Sequence, residues 1–265
     1  MRDNPVKSKL RSGKGVFGTF GWEFMVPALP QIVRAAGAEF LLLDMEHSGA
    51  DYETIKAQAQ LCRGTGLVPL ARVPANQYTY VARALDAGMM GVMAPMVGSA
   101  EEAEFIVSCT RYPPQGRRGA AFGFAHDDYL GGEVARKIRI ANERTLVIIL
   151  IETAEGIRNV EKIAAVPGVD VLWLGHFDLT NFLGIPAQFE HPKYLRAVER
   201  LVAAAKKHRK ALGLMSAGEG WSREYWKLGF RMFAAGVDCH LYLAALRREL
   251  ALLQGLATPG KRARR

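Results

Sequence analysis

The 265-residue chain predicts an α/β fold of the (β/α)8 TIM-barrel class. Eight short, β-rich apolar runs alternate with longer segments of helical period, which is the pattern of parallel βαβ units. Runs such as LLLD at 41–44 and LVIILIE at 146–152 are apolar without alternation, as strands buried on both faces are. No G-x-G-x-x-G follows a strand and no G-x-x-x-x-G-K-[ST] occurs, so the nucleotide fingerprints of the competing doubly wound open sheet are missing.

Taken in order, the strands are expected at residues 16–20, 39–44, 67–72, 91–96, 145–152, 169–175, 211–215 and 231–236. Most lead into a helix-like segment, for example 100–110 and 222–228, and the last helix, at about 241–253, carries apolar residues at helical spacing. The stretch 113–130 is long for a βα connection and rich in Gly and Arg, which marks it as functional or mobile. One domain is expected at 15–255, between a basic tail at 1–14 and a second at 256–265.

The net charge of +9 raises the question of a nucleic-acid partner, and its location answers it. Residues 1–14 hold five Lys/Arg against one Asp, and residues 261–265 hold four against none, which accounts for eight of the nine charges. Ends of this kind read as solvated, frayed and dispensable, with no interleaved aromatics, so no nucleic-acid or membrane partner is expected. No stretch approaches the ~20 apolar residues of a membrane helix, and the N-terminus lacks an apolar signal core. Cys62, Cys109 and Cys239 are odd in number and lack C-x-x-C spacing, which suits a reduced cytoplasm.

In a barrel the active site forms where strands end, so ionisable groups closing apolar strands are the candidates. The second strand ends in Asp44 and runs into Glu46 and His47; the third ends in Arg72; the fifth in Glu152; the sixth runs through Gly175 and His176 to Asp178. Each alone has a plainer explanation: a carboxylate at a strand-to-helix junction caps helices, Arg72 suits a structural ion pair, and His47 a satisfied loop histidine. Convergence on one barrel face favours a site. Glu152 and Asp178 are hard oxygen ligands suited to Mg²⁺ or Mn²⁺ and tolerant of Co²⁺. Arg72 offers a planar fork for a carboxylate or a developing oxyanion, and His47 with Asp44 three residues earlier resembles a base and its orienting carboxylate. The set describes enolate chemistry. A Schiff-base route needs a lysine at a strand end, and none is so placed: Lys56, Lys137, Lys162, Lys206, Lys207 and Lys227 fall on expected helices, Lys193 at a loop or helix start, and Lys210 before the seventh strand.

The segments LLLDMEHS at 41–48, ARVP at 71–74, LDAGMMGVMAPMV at 85–97, TRYPPQGRRG at 110–119, IET at 151–153 and GHFDLT at 175–180 resemble the HpcH/HpaI aldolase family, in matching order over roughly 15–250. The resemblance implies a class II pyruvate aldolase that cleaves or joins a hydroxy-2-oxo acid, with a 2-oxo acid such as pyruvate and an aldehyde as its small-molecule partners. It implies Glu152 and Asp178 as metal ligands and His47 as the base working with Asp44. Arg72 would bind the oxo acid and stabilise the enolate, and the backbone at Gly175 and Phe177 would meet its carboxylate. It further implies that Asp86 reaches the His of an adjacent subunit, that the last helix exchanges between partners, and that the homo-oligomer is a hexamer. Three positions depart from the family pattern: Leu150 where Gln is usual, His176 where Pro is usual, and Phe177 where a small residue is usual. The constellation is intact and the pocket reshaped, so the departures bear on substrate.

Two other readings compete. A citrate-lyase-β-like acyl-coenzyme A lyase would need a groove for the nucleotide handle, for which Arg117 and Arg118 are the candidates. A non-enzymatic barrel binding nucleic acid or membrane through its basic tails would be expected to have lost one of Glu152, Asp178, Arg72 and His47, and none is lost.

Overall fold

The computed structural model describes residues 1–257, so the basic stretch 261–265 and most of the expected C-terminal tail at 256–265 lie outside the described residues. The expected strands form as β1 (Val16–Gly21), β2 (Phe40–Asp44), β3 (Val68–Arg72), β4 (Gly91–Ala94), β5 (Leu146–Ile151), β6 (Val171–Leu174), β7 (Ala211–Met215) and β8 (Met232–Val237). They pair in parallel in chain order and β8 closes onto β1, so the expected barrel is borne out. Among the described residues no helix is long and apolar enough to cross a membrane.

The uniformly apolar runs resolve into two faces, because side chains along a pleated strand alternate. Phe40, Leu42, Leu70, Ile148, Leu150 and Trp173 fill the barrel interior. Their neighbours Leu41 and Leu43 turn outward to a second core, and Val147, Ile149 and Ile151 to a third, against the surrounding helices. Those helices include α2 (Leu29–Ala35), α3 (Tyr52–Leu61), α4 (Tyr78–Asp86), α5 (Ala100–Thr110), α6 (Val134–Arg144), α7 (Ala154–Ala165), α8 (His176–Phe182), α9 (Pro192–Lys207), α10 (Glu219–Lys227) and α11 (Asp238–Ala257). Side-chain caps set several of their starts: Asp51 accepts from the Thr54 N–H at 2.8 Å, Ser99 from Glu102 at 3.2 Å and Thr153 from Gly156 at 2.8 Å. Asp44 caps none of these helices. The long stretch after α5 is pinned rather than loose, with Lys137 on Asp127 at 2.6 Å and Arg118 on Asp86 at 2.6 Å.

The N-terminal segment corrects the expectation of a solvated tail. Residues Pro5–Arg11 form α1, which plugs the N-terminal end of the barrel. Val6 and Leu10 are buried and join the interior core with Val16, Phe40, Val68 and Met90. Asn4 Nδ2 donates to the carbonyls of Met90 (3.1 Å) and Arg144 (3.0 Å), and Lys7 Nζ to the Thr145 carbonyl at 2.7 Å. These bonds tie α1 to the carbonyls just before β4 and β5. The charge count that suggested a tail missed two apolar residues four apart on one face of a helix, Val6 and Leu10.

Leu10→Ala is therefore expected to destabilise the protein by ~2–5 kcal/mol, the range for emptying a buried leucine site. Urea unfolding should show a lower midpoint at unchanged slope. An unmoved midpoint would restore the tail reading.

Candidate active site

The parallel register sets Asp44, the last residue of β2, directly beside Arg72, the last residue of β3. The two side chains meet fork to fork. Arg72 Nε donates to Asp44 Oδ1 at 2.9 Å, and a second bond joins its terminal nitrogen to Oδ2. Asp44 is fully buried and Arg72 is 7% exposed. Asp44 Oδ1 also accepts the backbone N–H groups of Glu46 (2.8 Å) and His47 (3.4 Å), so one carboxylate fixes both the guanidinium and the turn that follows. Burial disfavours the Arg72 charge, yet the Asp44 bonds and the charges of Asp44, Glu46 and Glu152 outweigh it and hold the guanidinium above its ordinary value. The rings of Phe20 and Trp22 lie 5.7 and 5.6 Å from its carbon.

This corrects the expected His47–Asp44 pairing. Asp44 touches the backbone of His47, while the imidazole stands half-exposed with its Nε2 3.7 Å from Glu46 Oε2 and its ring edge-on to Trp22. Both Asp44 oxygens engage Arg72, and the carboxylate meets His47 through its backbone N–H. Glu46, absent from the expected site, takes the position between: its Oε2 is buried without a hydrogen bond, 3.2 Å from the Arg72 guanidinium. The signal for it was present, since Glu46 is the ionisable residue immediately following a buried strand end.

Glu152 follows β5 and Asp178 lies in the first turn of α8, one strand over. Burial pushes Glu152 up to about 7; the Met96 N–H at 2.7 Å opposes the rise, and the charges of Glu46 and Asp178 add to it. Burial likewise raises Glu46, against Arg72 and His47 and with Asp44 and Asp178. Met96 holds a left-handed φ of 56° while making that bond, an unfavourable conformation kept at the site. Gly175 is required next to Glu152, because a Cβ there would lie 2.5 Å from the Glu152 Cβ and 2.7 Å from Oε2. Three clustered carboxylates beside the Arg72 guanidinium match the donor chemistry of a hard divalent ion. Among the described residues no set of three or more His, Cys, Asp or Glu side chains forms a ready-made cage, so further ligands would come from water or substrate.

These groups line a cavity of ≈130 Å³ at the C-terminal mouth of the barrel. Its apolar wall comes from Phe20, Trp22, Met93, Leu150, Trp173 and Met215. Leu150 belongs to the interior core as well as to the cavity floor. His176 is buried against Phe177, Phe189 and Trp221, and burial lowers it to about 4, with Asp178 opposing. Phe177 is 54% exposed at the rim. The structure thus brings His47, Arg72, Asp44, Glu152, Asp178, Leu150, Gly175 and Phe177 together. It does not bring Asp86, which closes α4 at the end away from the βα loop and pairs with Arg118. Sequence reasoning also missed Asp238 after β8, whose carboxylate accepts the N–H groups of Trp22 (3.1 Å), Glu23 (3.2 Å) and Phe24 (2.9 Å) and so sets the Trp22 loop.

Residues 25–245 match the family described as HpcH/HpaI aldolase/citrate lyase. Over 222 residues the chain is 33% identical to a 5-keto-4-deoxy-D-glucarate aldolase of Klebsiella pneumoniae, covering 84% of this chain and 86% of that protein. An HpcH/HpaI aldolase from Desulfitobacterium hafniense superposes with a TM-score of 0.91 at 28% identity, covering 98% of this chain and 99% of the other. A family protein from Burkholderia cenocepacia superposes at 0.88 with 31% identity, covering 95% and 99%.

Asp44→Ala should destabilise the fold by ~3–5 kcal/mol, because it strands a buried guanidinium. His47→Ala, at a half-exposed position, should change stability by no more than ~0.5 kcal/mol. Urea melts of the two variants separate the arrangements: equal, small effects would mean that Asp44 serves only the histidine.

Proposed function

The chain belongs to the HpcH/HpaI aldolase/citrate lyase family, and from that premise we propose a carbon–carbon lyase of the class II, divalent-metal-dependent aldolases. It cleaves a hydroxy-2-oxo acid to pyruvate, or a related 2-oxo acid, and an aldehyde, or joins them. The observation that carries the reading is the set of Glu46, Glu152 and Asp178 turned on one another beside an immobilised Arg72.

In this reading Glu152 and Asp178 hold the ion, Mg²⁺ or Mn²⁺ with Co²⁺ tolerated. When bound, a divalent ion supplies Lewis-acid polarisation of the oxo acid and offsets charge that develops in the enolate. Arg72 binds the oxo acid and donates to the developing oxyanion, with no reorganisation required because Asp44 already holds it. His47 takes the proton from the carbon next to the carbonyl, and the nearby Glu46 stabilises the imidazolium that results. The backbone around Gly175 and Phe177 meets the substrate carboxylate. Leu150 and Phe177 present carbon where an amide and a small residue are usual, so they select a less polar partner. The aromatic wall excludes water from the reacting carbon.

Two features favour this over the rival readings. Arg118 is 3% exposed and engaged with Asp86, which withdraws it from any groove for a nucleotide handle. Two of the basic N-terminal residues are spent on the barrel itself, Arg2 on Asp128 and Lys7 on Asp170.

The assembly proposed is a homo-oligomer, a hexamer, in which α11 exchanges and Asp86 reaches a neighbour's histidine. In support, α11 leaves Leu243, Leu246, Leu250 and Leu253 exposed, and the outer face of β1 and β8 opens onto apolar cavities of ≈620 and ≈600 Å³ that share Phe17, Gly18 and Ala235.

EDTA should abolish retro-aldol cleavage and added Mn²⁺ restore it, whereas borohydride with pyruvate should leave activity intact. Covalent trapping on a lysine would refute the metal route. Light scattering should return several times the 29.1 kDa chain mass, and a fully active monomer would refute the exchange.

A further inference from the structure

At the N-terminal face of the barrel, opposite the candidate active site, a cavity of ≈270 Å³ opens beside α1. Its wall carries Lys7, Arg11, Arg111, Arg209 and Lys210 against a single carboxylate, Asp170. That carboxylate is already engaged: Oδ2 accepts from Lys7 Nζ at 2.8 Å and from the Val147 N–H at 3.0 Å, and Arg11 stands 3.9 Å from Oδ1.

Arg111 is 7% exposed, and its bonds go to neutral acceptors, Thr110 Oγ1 at 3.0 Å and the Thr145 carbonyl at 3.4 Å. Among the described residues no carboxylate lies within ion-pair distance of it. A buried guanidinium without a counter-charge is unfavourable unless something supplies one. Burial lowers Lys7 to about 8 and puts Arg111 and Lys210 below their ordinary values; Asp170 opposes in each case, and Arg11 adds to the lowering of Lys7 and Arg111. Arg209 follows the last turn of α9 with a left-handed φ of 54°, where Gly or Asn is the usual residue, and extends an exposed guanidinium at the cavity rim.

We propose that this cavity is a binding site for a multivalent oxyanion, inorganic phosphate or a compact phosphomonoester, held by Arg111 with Arg11 and Arg209. The cavity falls just below the ~300–1,000 Å³ usual for drug-sized ligands, which suits a small, highly charged group. Planar guanidinium forks match its oxygens. The bound anion joins α1, the end of α5 and the turn from α9 into β7, so it locks the barrel floor and leaves the reacting end untouched.

The test is thermal unfolding of the full chain, in EDTA, with inorganic phosphate titrated against chloride at matched ionic strength. A ligand that binds only the folded state raises the midpoint with the logarithm of its concentration. Phosphate should do so and chloride should not. In the double variant Arg11→Ala/Arg209→Asn, two exposed positions with Asn tolerant of the left-handed backbone, the phosphate concentration needed should rise at least tenfold. Glycerol 2-phosphate forms the second arm: a response equal to that of phosphate assigns the site to phosphomonoesters, and a weaker one to the free ion. Equal responses to phosphate and chloride, or a phosphate response that the double variant retains, would overturn the proposal.

Discussion

The buried pair of Asp44 and Arg72 is the interaction on which the candidate active site of this barrel depends. Two adjacent strands end in opposite charges at the same register level, and each charge is tolerable there only because of the other. One carboxylate neutralises the guanidinium, aims it, and receives two backbone N–H groups of the turn that delivers Glu46 and His47. Pre-organisation of this kind is what transition-state charge requires, since a dipole or cation that must reorient at the moment of reaction loses much of its effect.

Around that pair the chain concentrates more negative charge than the one guanidinium neutralises. Burial, with the charges of Glu46 and Asp178, raises the proton affinity of Glu152, which keeps a buried place through the Met96 N–H and the absent side chain of Gly175. The aromatic and aliphatic wall from Phe20 to Met215 lowers the local dielectric and sharpens both effects. The candidate site thus sets a fixed guanidinium beside a group of carboxylates.

The far end of the barrel is organised by a related electrostatic constraint with a different outcome. Closing the floor with α1 buries Lys7 on Asp170 and sets Arg11 beside an Arg111 that has no carboxylate of its own among the described residues. At the candidate active site two carboxylates flank one guanidinium, whereas at the floor five cations line a cavity with one carboxylate. The same barrel therefore presents surplus negative charge at one mouth and surplus positive charge at the other.

Strand order, barrel closure and most of the candidate site were legible in the chain, because apolar runs of strand length and the charged residues that end them are local features, visible without knowing what packs on what. Arg72, Glu152 and Asp178 stand where a barrel turns its strand ends into a site, and the motifs around them carried the family. Partners were not legible. Asp44 precedes His47 by three residues, yet it bonds Arg72, 28 residues on, because parallel register and bidentate geometry outweigh proximity along the chain. Glu46, Asp238 and the α1 plug were missed for the same reason: each acquires its role from groups 26 to more than 200 residues away. Sequence alone determined which charges had to be accounted for. Only the tertiary structure decided which charge faces which, since pairing energies depend on separation and burial, and neither is defined until the barrel closes.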